Sequence, residues 1–112
     1  LIVGGAGTLF YAPGKMVMDA DDVPAKLLPG IKSLGEFYLN TLRKENDIDW
    51  IFPSPAANMT PGERTGKFRI GKDDLVVDVN GDSNISVEDY AVAMVDELEQ
   101  KHHHKERFTI GY

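Results

Sequence analysis

The chain opens with Leu1-Ile2-Val3-Gly4-Gly5-Ala6-Gly7-Thr8-Leu9, three apolar residues that run directly into a cluster of glycines. A short, continuous apolar run bounded by glycine is typical of a strand in a parallel sheet, because both faces of such a strand are covered. Loops at the carboxyl ends of parallel strands are where α/β folds bind their ligands. The opening stretch therefore predicts a buried strand followed by a glycine loop that faces a ligand.

The glycine loop only partly matches a dinucleotide-binding fingerprint. That motif spaces its glycines G-x-G-x-x-G and continues into a helix whose N-terminus faces pyrophosphate. Gly5 and Gly7 supply the first two positions, but Phe10 occupies the third. The segment Tyr11 to Gly14 contains Pro-Gly, which predicts a turn where the helix should begin. The spacing argues against a phosphate cradle at this loop.

Composition and charge limit the classes of function. The 112 residues are 42% hydrophobic and 27% charged, as in an ordinary globular domain. A formal net charge of −6 argues against nucleic acid and membrane surfaces as partners. The chain has no cysteine, so we expect neither a disulfide framework nor a thiolate metal site, and a cytoplasmic location. Because the sequence begins inside the expected strand, residues 1–112 are predicted to be a single domain or a fragment of one.

The next elements predict an α/β order. Apolar residues recur at helical spacing from Ile31 to Leu42, and Asn46-Asp47 is expected to end that helix. Ile48 to Phe52 predicts the following strand. A helix between two strands indicates a crossover connection, so this strand should pair in parallel with Leu1 to Val3.

The second half predicts a long loop, two extended segments and a helix. Ala56 to Gly66 is rich in proline, glycine and small residues, and long loops in compact domains often bind something. Lys67 to Ile70 and Asp74 to Val79 are expected to be extended. Arg107 to Tyr112 alternates in polarity and predicts a final strand, placed at a sheet edge.

The helix that precedes this final strand has the clearest boundaries in the sequence. Ser86 followed three residues later by Asp89 resembles a capping box, and the helix is expected to run to about Gln100. One predicted apolar face comprises Val87, Ala91, Met94, Val95 and Leu98.

The segment Asp78 to Asp89 resembles a calcium-binding loop. Oxygen ligands stand at loop positions 1, 3, 5 and 12, but Ser83 replaces the glycine expected at position 6. The strand-like residues before the loop also differ from an entering helix. A turn between a strand and a helix is the favoured interpretation, and calcium remains the distant alternative.

Two further patterns favour ordinary structure over a site. His102, His103 and His104 are consecutive, and neighbours on a helix point about 100° apart, so convergence on one metal ion is not expected. Tyr11 and Lys15 have the spacing of the catalytic pair of short-chain dehydrogenases, which needs one helix face. The Pro-Gly between them argues against that helix.

Several motifs together resemble one family. They are Val3 to Leu9, Asp49-Trp50 with Ser54 to Ala56, the Gly62 to Lys67 loop, the helix start Ile85 to Ala91, and the ending Arg107 to Thr109. Over nearly its whole length the chain resembles the C-terminal half of the NADH-flavin reductases, a branch of the atypical short-chain dehydrogenase/reductases.

This resemblance implies the C-terminal part of a Rossmann-like, doubly wound, mainly parallel sheet that is incomplete. It also implies NAD(P)H as cofactor, with hydride passing to flavin or a similar small-molecule acceptor. By position, Gly5, Ala6 and Gly7 would line the nicotinamide side of the cleft. Ser54, Pro55 and Ala56 would close it, and Arg64 and Lys67 would meet an anionic group.

The chain departs from the family pattern at its start. The first strands of the family, which hold the pyrophosphate loop, have no counterpart here, and no general acid carries over. A non-catalytic NAD(P)-binding or interaction module of the same fold is therefore the alternative. The exposed flank of Leu1 to Val3 is expected to seek a partner, which includes self-association.

Overall fold

Two helices and seven short strands form the fold of residues 1–112 in the computed structural model, which confirms the predicted α/β class. In chain order they are β1 (Phe10–Ala12), β2 (Lys15–Met16), α1 (Leu28–Asn40), β3 (Ile51–Ser54), β4 (Asn58–Thr60), β5 (Arg69–Gly71), β6 (Asn84–Ser86), α2 (Val87–Gln100) and β7 (Glu106–Gly111). Single 3-10 turns lie at Val17–Asp19 and Leu42–Lys44.

The main sheet has the order β3-β7-β5, with β7 parallel to β3 and antiparallel to β5. The predicted edge position of the final strand is therefore wrong, because β7 is central. Its alternating polarity was misleading because its polar side chains are buried with partners. Arg107 bonds to Asp73 and Thr8, and the Thr109 hydroxyl donates to Ser54 O at 2.8 Å.

The opening stretch runs parallel to β3, as predicted, but residues 1–3 form no regular strand, and the predicted burial is wrong because Leu1 and Val3 are 43% and 56% exposed. The Ile2 N–H donates to Ile51 O and the Gly4 N–H donates to Pro53 O, both at 3.0 Å. In a regular parallel ladder, β3 would return bonds through the N–H groups of residues 53 and 55, but both are proline and have none. The opening stretch therefore donates both hydrogen bonds of this pairing and accepts none from residues 53 and 55. Strand β3 begins at Ile51, three residues later than predicted.

Two predicted segments differ from the structure. The expected loop from Ala56 to Gly66 contains β4, which pairs in parallel with β6. Asp74 to Val79 forms no strand and contributes only a single bridge, between Asp74 and Phe10. These segments are short, and their pairing depends on distant partners that local residue patterns do not reveal.

Helix α2 confirms its predicted bounds and cap but not its predicted buried face. Ser86 Oγ accepts from the Asp89 N–H at 3.0 Å, and the helix ends at Gln100. The buried residues are Tyr90, Ala93 and Glu97 together with Asp89. Val87, Val95 and Leu98, which were expected inside, are 42%, 51% and 58% exposed. The buried stripe is displaced because Tyr90 and Glu97 have polar partners inside the fold.

The core divides into two clusters. One lies under α2 and includes Ile85, Tyr90 and Phe108. The other joins α1 to β3, where Tyr38 stacks on Phe52 with ring centroids 5.0 Å apart. Neither helix has the length and apolar character that a membrane crossing requires.

Candidate functional site

The glycine loop borders a small cavity. Gly5, Ala6 and Gly7 face the N-terminal half of α1 across a space of about 180 Å³. Thr8 and Phe52 extend the wall, and α1 contributes Gly30, Ile31, Leu34 and Gly35. None of these nine lining residues has a titratable side chain. The cavity can therefore hold an apolar or aromatic group but supplies no acid or base to it.

Close packing explains why two positions of the loop, Gly4 and Gly7, are glycine. A Cβ added at Gly4 would lie 2.7 Å from Phe52 Cε1 and 2.8 Å from Pro53 O. A Cβ added at Gly7 would lie 2.7 Å from Ile31 Cγ2. The loop thus needs glycine to approach β3 and α1, whatever it binds. It leads into the β1–β2 hairpin, which confirms the turn predicted at Pro13–Gly14.

We expect Gly4→Ala to destabilise the 112-residue chain by about 2 kcal/mol, because overpacking against a backbone oxygen cannot be relieved by side-chain movement. The matched control is Gly30→Ala in α1, where an added Cβ meets nothing within 4 Å. Replacing a helical glycine by alanine at an open position should stabilise the chain by up to about 1 kcal/mol. Urea unfolding monitored by circular dichroism measures the change in the free energy of unfolding for both variants. Equal midpoints for the two variants would contradict this packing account.

The end of β3 lies beside the glycine loop. Pro53 O accepts from the Gly4 N–H at 3.0 Å and from the Tyr90 hydroxyl at 2.6 Å. Burial raises the pKa of Tyr90 to about 12, so its phenol remains a donor at neutral pH. Ser54, Pro55 and Ala56, which were predicted to close the cleft beside the glycine loop, follow directly after Pro53. All three residues are buried, but they lie outside the lining of the cavity.

Ser54 is unusual within this group. Its side chain is fully buried, and its Oγ is the only buried side-chain polar atom in the chain without a hydrogen-bond partner. Buried hydroxyls normally have a partner, so an unsatisfied one calls for an explanation. The unsatisfied hydroxyl lies at the carboxyl end of β3, one residue beyond Pro53 and its bond to Gly4.

The loop that carries Arg64 and Lys67 is held away from the cavity by α2. Glu88 accepts from the Gly62 N–H at 3.1 and 3.2 Å, and Asp89 accepts from the Thr65 and Gly66 N–H groups, both at 2.9 Å. Arg64 borders a separate open groove along α2 with Ala91, Val92 and Val95, and Lys67 is exposed. The structure does not bring these two cations to the glycine loop.

Asp89 is the most heavily bonded carboxylate in the chain. Besides the two N–H donors, it accepts from the hydroxyls of Thr65, at 2.6 Å, and Tyr112. Burial raises the pKa of Asp89, but these hydrogen bonds outweigh it and bring the value to about 2. The carboxylate at position 12 of the calcium-like segment is thus occupied by protein donors, and no cluster of three or more His, Cys, Asp or Glu side chains has the arrangement of a metal site.

The histidines do not meet at one carboxylate, and Tyr11 and Lys15 lie on different strands. His103 Nδ1 lies 2.6 Å from Glu97 Oε1, and His104 Nδ1 lies 2.8 Å from Asp49 Oδ2, so two of the histidines meet different carboxylates. Tyr11 lies in β1 and Lys15 in β2, on either side of a tight turn, and both are exposed. They share no helix face.

Sequence patterns missed the residues behind the cavity wall. Arg107 is 6% exposed, its Nη1 donates to Thr8 Oγ1 at 2.7 Å, and its guanidinium lies 4.7 Å from the centre of the Tyr38 ring. Gly35 was a usable signal, because a glycine inside a helix usually marks a close approach. A Cβ there would meet Met18 Sδ at 2.9 Å and Thr8 Cγ2 at 3.1 Å.

Comparison with known proteins finds close relatives of this fold, although no protein-family model matches. The uncharacterized protein YwnB of Bacillus subtilis is 46% identical over 113 residues, which cover 98% of this chain and 53% of the relative. A solved structure from Bacteroides thetaiotaomicron, named a "putative epimerase", is 66% identical with a TM-score of 0.97 over 98% of this chain and 51% of its own.

A third relative bears on function. The structure named a "putative NADH-flavin reductase" from Streptococcus pneumoniae is 37% identical, with a TM-score of 0.87 over 97% of this chain and 53% of its own. The chain therefore has the fold of part of these proteins and spans about half the length of each relative described here.

Proposed function

We propose that residues 1–112 form part of an NAD(P)H-dependent reductase that transfers hydride to flavin or a similar conjugated acceptor. The observation that carries this proposal is the cavity beside Gly5 to Gly7, whose lining has no titratable side chain. Hydride transfer between a nicotinamide and a flavin is the chemistry of the two rings, and the protein has to bind and orient them. The name of the Streptococcus pneumoniae structure supports the same activity.

In this proposal the two strand ends hold the rings. Gly5, Ala6 and Gly7 line the nicotinamide side of the site, and the buried residues Ser54, Pro55 and Ala56 close it from behind, at the neighbouring strand end. Arg64 and Lys67 lie on the loop bonded to Asp89, away from this cavity, so they would meet an anionic group of the cofactor or acceptor that extends beyond the rings. The pyrophosphate site belongs to a part of the polypeptide outside residues 1–112.

An epimerase is the second candidate, because the Bacteroides thetaiotaomicron structure carries that name at 66% identity. Epimerisation at carbon by proton exchange needs positioned groups that remove and return the proton. No such group lines this cavity, and Tyr11 and Lys15 lie across a hairpin. The cavity lining supplies neither acid nor base for that exchange, so the cavity favours the reductase.

The test is a chimera in which residues 1–112 replace the matching half of the Bacteroides thetaiotaomicron protein. We expect it to oxidise NADH or NADPH, followed at 340 nm, only when FMN, FAD or riboflavin is added. The 112-residue chain alone is the control and should be at least 100-fold slower. Absence of flavin-dependent oxidation would contradict the reductase, and nucleotide binding without turnover would support the non-catalytic module.

A further inference from the structure

A buried cation lies directly behind the cavity. Arg107 extends from the central strand β7, and its side chain is 3% exposed. Its partner on β3 in the parallel register is Phe52, which lines the cavity. Paired residues on parallel strands project to the same face, so the guanidinium lies on the same side of the sheet as the cavity.

The guanidinium connects the cavity wall to the rest of the fold. Nη1 donates to the Thr8 hydroxyl at 2.7 Å, whereas Nε and Nη2 donate to Asp73 Oδ1 at 3.1 and 2.9 Å. Its central carbon lies 4.7 Å from the centre of the Tyr38 ring, which stacks on Phe52. Thr8 itself is 1% exposed and closes the glycine loop.

General stability is a poor explanation for this arrangement. Burying a guanidinium is unfavourable, and apolar residues of similar volume often serve as well in a core. The Asp73 side chain is 61% exposed, so the ion pair is half solvated and weak. The bond to Thr8 is the only fully buried hydrogen bond of the guanidinium, and it fixes a residue of the cavity wall.

We propose that Arg107 is a positioning residue: through the Thr8 hydroxyl it holds the Gly5–Thr8 wall in the conformation that grips the acceptor ring. This inference rests on the proposed function, since it places the flavin ring in the same cavity as the nicotinamide ring, whose side Gly5 to Gly7 line. A cavity wall that is already held in place binds a flat ring without the entropy cost of becoming ordered on binding. Removing the anchor should therefore weaken acceptor binding more than turnover.

The test uses Thr8→Val, Thr8→Ser and Arg107→Lys in the chimera. Valine keeps the volume of threonine but removes the hydroxyl, whereas serine keeps the hydroxyl. We expect Thr8→Val and Arg107→Lys to raise the KM for the acceptor about tenfold at saturating nicotinamide, with kcat per folded molecule within twofold of the parent. Thr8→Ser should keep most of the parent's affinity for the acceptor, because serine retains the hydroxyl. Thr60→Val, at an exposed position, is the control.

A second measurement separates this inference from the proposed function. FMN fluorescence is titrated with each variant without any nicotinamide cofactor, so binding is read without turnover. If the parent binds FMN but does not oxidise NADH, the reductase proposal fails, and a tenfold weaker Kd for Thr8→Val still supports the positioning role. Unchanged Kd and KM in Thr8→Val and Arg107→Lys would overturn it, as would a parent that binds no flavin.

Discussion

We expect Asp89→Ala to lower the free energy of unfolding of the 112-residue chain by about 4 kcal/mol. The substitution leaves the N–H groups of Thr65 and Gly66 and the hydroxyls of Thr65 and Tyr112 without their acceptor. A fully buried donor left unsatisfied costs about 1 to 3 kcal/mol; these four are partly buried, so water recovers part of that cost at each of them. Urea unfolding measures the loss.

Asp96→Ala is the matched control, since Asp96 lies on the same helix and is exposed. It should change the free energy by less than about 0.5 kcal/mol. Equal losses in the two variants would show that Asp89 does not hold the Thr65–Gly66 loop.

The pH dependence tests the same carboxylate. Its pKa is about 2 in the folded chain, below the ordinary 3.8, because hydrogen bonds to the charged form outweigh the opposite effect of burial. A lowered pKa means that the stabilisation is complete above about pH 4 and is lost as the pH falls through 2. The difference in stability between the parent and Asp89→Asn should therefore shrink over that interval, while remaining constant from pH 5 to 7.

Helix α2 shows what local sequence determines and what it does not. Its cap follows from a bond between residues three apart, Ser86 and the Asp89 N–H, and was therefore predictable. Its end at Gln100 also matches the prediction. The buried face depends on distant partners: Tyr90 bonds to Pro53 O and Glu97 to His103. A hydrophobicity pattern treats a buried tyrosine and glutamate as surface residues, which is why it placed the wrong stripe inside.

The candidate site also contains residues that local sequence predicts and residues that depend on distant partners. The glycine cluster predicted a ligand-facing loop, and Gly5 to Gly7 line the cavity. Ser54 to Ala56 were placed beside them by the family resemblance, and they lie outside its lining. Arg107 could not be assigned, since its partner Thr8 is 99 residues away in sequence. The placement of Arg64 and Lys67 near that edge came from family resemblance alone, and the bonds from Glu88 and Asp89 hold their loop against α2.

The other large effect is expected at Phe52, where the packing of the fold and the shape of the cavity depend on the same ring. Phe52 is 1% exposed, stacks on Tyr38 and contacts Gly4 closely. Phe52→Ala should lower the free energy of unfolding by about 4 kcal/mol, as for a large core residue whose site cannot collapse. The control, Phe37→Ala, removes a ring that is 39% exposed on α1 and should lose less than half as much.

Phe52→Leu separates packing from ligand binding. Leucine keeps part of the buried apolar volume, so most of the chimera should remain folded, but it removes the flat ring from the cavity wall. If the cavity holds an acceptor ring, FMN binding should weaken at least fivefold in Phe52→Leu while Phe37→Ala leaves it unchanged. An unaltered Kd for FMN in Phe52→Leu would place the ring elsewhere, because stacking against an aromatic wall is a contact that leucine cannot replace.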